Sequence, residues 1–140
     1  MARSKLTLIP FNVDDARDFE AAFDAAAKER VQGIVVFPSP LVHYHSVRIA
    51  ALATQRKLPS VFLFAEAAEG GGLISYGPNV NDMSRRAAPL VIRILNGTQP
   101  GELPIERPTK FELAINLKTA KTLGLTIPPT LLARADQVIE

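Results

Sequence analysis

Apolar residues along this chain change their spacing several times, and each change marks an element. Lys5 to Val13 (KLTLIPFNV) reads as a strand that runs up to Pro10, a residue tolerated at strand edges. Asp14 and Asp15 then offer a helix N-cap and an acidic first turn. Phe19, Ala22, Phe23 and Ala26 follow at helical spacing, which predicts one apolar face continuing to Arg30, with Gly33 as the stop. Ile34 to Phe37 (IVVF) is a short unbroken apolar run, the pattern of a strand covered on both faces. Pro38-Ser39-Pro40 closes it. A second helix is predicted from Leu41 to Lys57, with Ile49, Leu52 and Ala53 inward, and Ser60 to Phe64 (SVFLF) forms the next strand. Strand, helix, strand, helix, strand with short connections is the pattern of a doubly wound parallel sheet.

Ala65 to Gly72 shows no periodicity and reads as a loop. Within Gly71 to Asn79 (GGLISYGPN), Leu73 to Tyr76 reads as a short strand between a glycine run and a Pro-Asn turn. Asn79 or Asn81 caps the helix that follows, on which Met83, Ala87, Leu90, Val91 and Ile94 share a face before Gly97. Pro89 lies inside that run and donates no hydrogen bond to the Arg85 carbonyl, which predicts a kink there or a helix beginning near it. Pro100 to Pro108 reads as extended. Phe111 to Asn116 alternates as a strand, Leu117 to Leu123 as a short helix closed by Gly124, and Pro128-Pro129 opens another helical turn. Val138-Ile139 is expected to form a last edge strand.

Composition narrows the function classes. A chain of 140 residues is long enough to bury a core, and 47% hydrophobic with 21% charged residues is ordinary for a folded domain. The formal charge is only +2, and the signs are mixed: residues 1–70 carry eight of each, residues 71–140 eight basic and six acidic. No basic face and few aromatics argue against nucleic acid as a partner. Without cysteine, disulfides, thiolate chemistry and Cys-based zinc sites are excluded. The opening MARSKLTLIPF has no apolar run of signal-peptide length, and no stretch approaches a membrane span, so the chain as written is expected in the cytoplasm.

His43 and His45 form an H-x-H pair, but on a helix they point to different faces and no third ligand is near in sequence, so a solvated helix start is expected. Ser39 beside them has neither an orienting acid nor a G-x-S-x-G elbow, which argues against hydrolysis. Gly70-Gly71-Gly72 lacks the Walker lysine and precedes a strand, so a flexible crossover is the better reading than a phosphate cradle. Arg85 and Arg86 read as a solvated face. The informative positions are the strand ends, Pro38-Ser39-Pro40, Phe64-Ala65-Glu66 and Ser75-Tyr76-Gly77, because open α/β sheets bind ligands outside the carboxyl ends of their strands. They supply hydroxyls, a carboxylate and an aromatic ring, a set that recognises a small polar ligand without a catalytic constellation. No enzyme, cofactor or metal is expected.

From Glu66 to Glu140 the sequence closely resembles the C-terminal part of ABC-transporter substrate-binding proteins, in a sparsely characterised branch that includes tryptophan- and tyrosine-type binding proteins. SYGPN, RRAA, PTKFELAINLKTAK and LGLTIPP carry the resemblance, and residues 5–65 fit the same family's second lobe more loosely. The resemblance implies one lobe plus hinge elements of a type I periplasmic binding protein, a Rossmann-like parallel sheet flanked by helices. Residues 1–72 are then the βαβαβ core of the second lobe, and residues 73–140 the crossover and C-terminal segment. It implies delivery of a small solute, often an amino acid, to an ABC permease, and a periplasmic location. Ser39, Glu66, Ser75 and Tyr76 fall on its cleft-facing strand ends. Family members are about twice as long, so the first lobe is expected to be missing here, and Pro89 departs from the family helix. A homodimer covering the surface so exposed is expected, with a stand-alone interaction or regulatory module as the alternative function.

Overall fold

The computed structural model describes residues 6–140 and contains one five-stranded sheet in the order β1-β2-β3-β4-β5. The strands are β1 (Ile34–Val35), β2 (Ser60–Phe62), β3 (Ile74–Pro78), β4 (Phe111–Asn116) and β5 (Gln137–Ile139). β1, β2 and β3 are parallel, β4 runs antiparallel to β3, and β5 is parallel to β4. The α/β class read from the strand-helix alternation is therefore present, with the sheet turned mixed by the antiparallel β3–β4 pair.

Helix α1 (Asp18–Lys28) precedes β1, and α2 (Pro40–Tyr44), α3 (Ser46–Gln55) and α4 (Ala65–Glu69) fill the connections between the first three strands. Phe19, Phe23 and Ala26 are the buried residues of α1, as their spacing predicts. Phe19 and Phe23 join Ile49, Ala50, Leu52 and Ala53 of α3, Ala67 of α4 and Phe62 of β2 in one apolar core on a single face of the sheet. Leu58 closes that core before β2.

The opposite face is a row of apolar residues in register across all five strands: Val35, Val61, Ile74, Ile115 and Val138. Ile115 at its centre is fully buried, whereas Val35 on the outer strand is 57% exposed and Phe37 beyond it 76%. The expectation that Ile34–Phe37 is covered on both faces is thus corrected. This strand lies at the sheet edge, is two residues long, and is covered by helices on one side only.

Four further boundaries differ from the sequence pattern. Leu6–Val13 forms no strand; among the described residues nothing pairs with the free edge of β1 or with this segment, and an unpaired extended segment gains no ladder hydrogen bonds. Lys5, the first residue of that expected strand, lies outside the described residues. The helix expected over Leu41–Lys57 is two helices broken at His45, whose φ of −104° and ψ of 15° leave the helical region. Ala65–Glu69 is a helix instead of a loop, since three alanines within five residues need no apolar periodicity to favour it. Finally, α5 (Val80–Leu95) begins nine residues before Pro89 and runs past that proline. Pro89 is on an exposed side of α5, where water can satisfy a carbonyl that lacks its helical donor.

Beyond α5, a 3₁₀ turn (Pro100–Glu102) leads through an irregular stretch to β4, and α6 (Leu117–Thr122) and α7 (Pro129–Leu132) precede β5. Asn79 caps α5, its Oδ1 accepting from the Asp82 N–H at 2.6 Å. Arg86 on α5 ties back to that irregular stretch through an ion pair with Glu106 at 2.8 Å. No residue of α5 is buried.

Candidate functional site

The carboxyl ends of β2 and β3 and the starts of β4 and β5 meet at one corner of the sheet. β2 leads into α4, which places Glu66 in its first turn and Glu69 in its last. β3 ends in Gly77-Pro78 and turns through Asn79 into α5. The β3–β4 register sets Glu112 opposite Gly77, and Gln137 opens β5 beside them. Gly77 is required there: a Cβ at this position would overlap the Leu63 carbonyl oxygen, so only glycine lets β3 pass so close to the end of β2.

These elements enclose a cavity of about 240 Å³ whose side-chain wall is Glu66, Glu69, Asn79, Asn81, Glu112 and Gln137. The wall is polar, with three carboxylates and no basic or aromatic side chain. The carboxylates differ in what holds them. Glu112 pairs with Lys110 at 2.9 Å, and this contact, assisted by a hydrogen bond from Asn79, holds its carboxyl below the usual glutamate range. The same pairing pushes the Lys110 ammonium up. Glu69 accepts from the Gln137 side-chain amide at 3.0 Å. Glu66 is exposed, and its carboxylate has no hydrogen-bond or ion-pair partner among the described residues.

A second, smaller cavity of about 20 Å³ lies at the ends of β1 and β2 between Val36, Val42, His43, Phe62, Phe64 and Ala67. It has room for about one water. His43 meets the Phe64 ring edge-on at 5.6 Å, and His45 meets Phe19 in the same manner. Among the described residues no group of three His, Asp or Glu side chains is placed to hold a metal ion.

The four strand-end candidates do not converge. Ser39 is the N-cap of α2, its Oγ accepting from the Val42 N–H at 3.2 Å. Ser75 is buried, and its Oγ has no hydrogen-bond partner. Tyr76 is 59% exposed on the opposite face of β3, where its ring stacks on Phe111 at 6.1 Å. Consecutive strand residues point to opposite faces, so Ser75 and Tyr76 cannot serve one site together. Glu66 alone among the four lines the larger cavity. Glu69, Glu112 and Gln137 escape a sequence reading because the antiparallel β3–β4 pairing that brings them together leaves no mark in spacing.

A family model described as ABC transporter substrate binding protein matches residues 1–139. The chain belongs to this family. Among solved structures, a conserved domain protein from Vibrio cholerae O1 biovar El Tor is 29% identical with a TM-score of 0.82, the match covering 89% of this chain and 42% of that one. The ABC domain in complex with L-Trp from Streptococcus pneumoniae is 25% identical with a TM-score of 0.87, over 96% of this chain and 45% of its own. A ligand-free, open substrate-binding protein with adhesive properties from Clostridium difficile, 18% identical, shares the fold over 91% of this chain and 42% of its own, with a TM-score of 0.62. The chain thus spans less than half the length of each of these relatives. A comparison with curated proteins finds no match. Among the described residues no helix is long and apolar enough to cross a membrane.

Proposed function

We propose that this chain acts in an ABC-type import system as the solute-binding component, taking an amino acid or a similar small polar molecule and passing it to a membrane permease outside the cytoplasm. The observation that carries the reading is the polar cavity at the ends of β2 and β3, with Glu66 unpartnered in its wall, in a member of a substrate-binding family. On this reading residues 1–72 form the core of one lobe and residues 73–140 carry the crossover and C-terminal segment. The solved relatives are more than twice as long, which supports a facing lobe that completes the cleft. Glu66 is the proposed first ligand contact. Ser39 and Tyr76 are contacts that only a facing lobe would bring into use, and Ser75 acts from beneath the strand. The chain carries no catalytic role.

A second reading has one observation in its favour. α5 is sixteen residues long, amphipathic, and buries none of them, which suits a module that associates through this helix and has no transport role.

A thermal-shift screen of the twenty amino acids and small metabolites tests the first reading. A ligand present at a hundred times its Kd stabilises by about 2.7 kcal/mol, enough to raise Tm measurably. Failure of every compound to raise Tm, repeated by calorimetric titration, would sink the solute-binding reading.

A further inference from the structure

The larger cavity combines a size, a position and a charge, and the charge points to a class of solute. It holds about 240 Å³ at the strand ends. Its wall has three carboxylates, three side-chain amides and no basic group to balance them. Part of the negative charge is already answered: Lys110 pairs with Glu112 from outside the wall, and Gln137 donates to Glu69. The Glu66 carboxylate has no donor among the described residues. A solute carboxylate brought here would meet three carboxylates and no basic side chain, whereas an ammonium or guanidinium would find Glu66 open and Glu69 one turn along the same helix. The wall offers no aromatic surface on which an indole could stack. A metal ion is the poorer occupant, because no three of these carboxylates converge closely enough to coordinate one.

Resting on the solute-binding reading above, we infer that this cavity takes the positively charged end of a small organic cation, an aliphatic amine or the side chain of a basic amino acid. Glu66 is its principal contact, and neutral or anionic solutes of the same size are excluded. The amide wall of Asn79, Asn81 and Gln137 supplies hydrogen-bond acceptors around that charge.

The test is calorimetric titration of the whole chain with L-lysine, L-arginine and putrescine, set against L-glutamate, L-glutamine and L-tryptophan, at low and high salt. Binding of at least one cation, weakened by salt, with no binding of glutamate, is the expected result. Glu66→Gln should weaken that binding about tenfold to a hundredfold, the span of a hydrogen bond to a charged group. The Glu66 side chain is exposed and makes no hydrogen bond among the described residues, so the Tm of the unliganded Glu66→Gln variant should match that of the parent chain. Preference for glutamine, glutamate or tryptophan, or cation binding that ignores Glu66→Gln, overturns the inference while leaving solute binding intact. Binding of none of the six, in a chain whose full metabolite screen is also blank, sinks the solute-binding reading and this one with it.

Discussion

Asn116 donates its side-chain amide to the Ala68 carbonyl at 2.9 Å, bridging the end of β4 to helix α4 across 48 positions of sequence. Its Oδ1 accepts from the Thr119 N–H at 2.9 Å, which makes the same side chain the N-cap of α6. Asn116 is buried, as is Thr119, whose hydroxyl donates to the Gly71 carbonyl at 2.9 Å. One amide therefore closes a helix and pins the corner where α4 meets the sheet. Replacing it by alanine removes a cap, worth about 1 kcal/mol, and one hydrogen bond, worth about 0.5–1.5 kcal/mol, to a carbonyl that still accepts from the Gly71 N–H at 3.1 Å. Asn116→Ala should lower stability by roughly 1.5–2.5 kcal/mol in urea denaturation, a loss sized by those two effects together. Asn116→Ser keeps a capping oxygen and loses the donor to Ala68, so it should retain part of the difference. A loss below about 1 kcal/mol for the alanine variant would mean that water replaces both partners.

Gly77 sits where β3 passes closest to the end of β2, and any side chain there meets the Leu63 backbone. Gly77→Ala should cost about 1–3 kcal/mol as the strands are forced apart, the range found for overpacked interiors. The added methyl points at Leu63, and the shift it forces on β3 moves Pro78 and Glu112 in the cavity wall, so ligand binding should weaken more than the loss of stability alone explains. Thermal denaturation with and without ligand separates the two effects. Gly71, by contrast, has open space around it but a φ of 106°, so Gly71→Ala costs through backbone strain and should leave binding untouched.

The parts of the fold that were legible are those whose signals are local. The Phe19, Phe23 and Ala26 stripe, the Asn79 cap and the left-handed Gly97 and Gly124 each depend on neighbours a few residues away. What escaped depends on distant partners. Leu6–Val13 has the composition of a strand but no pairing edge, and strand propensity reports a fit to neighbours more than a property of the segment. Ser75 and Tyr76 lie within β3 and not at its end, and the alternation of that strand sends one into the core and the other to solvent. Of the cavity wall, Glu66 was readable from its position after an apolar run. Glu112 and Gln137 arrive through β4 and β5, whose order and direction no spacing encodes.

The Lys110–Glu112 pair should give the site an acid-side signature. The Glu112 carboxyl titrates below its ordinary value because Lys110 and Asn79 both favour the charged form. A depressed folded-state pKa contributes stability above the unfolded value, lost as pH falls through the folded value. The pair's contribution should therefore fade only below the ordinary glutamate range. The raised Lys110 acts in the opposite sense, its share being present below the ordinary lysine value and lost as pH climbs past the folded one. Lys110→Met should move the Glu112 titration upward, followed by carboxyl NMR shifts, while stability at neutral pH changes little because the pair is solvent-screened. An unmoved Glu112 would show that Asn79 alone sets it.

The exposed face of α5 makes the last prediction. Val80, Met83, Val91, Ile94 and Leu95 all stand open to solvent on a helix that buries nothing. A surface helix keeps its form chiefly by packing an apolar stripe, so a helix of this kind is short of a partner. In the chain alone that shortage should appear as self-association: light scattering from micromolar upward is expected to show a mass above 15.2 kDa that rises with concentration. Val91→Glu with Ile94→Glu places two charges in the stripe and should return the chain to a monomer, with little change in the sheet because α5 contributes nothing to the core. The same double variant separates the two functional readings. If solute binding survives in the monomer, the cavity is complete without a second copy and α5 is free to meet a facing lobe. If binding is lost with the dimer, the partner copy supplies part of the cleft.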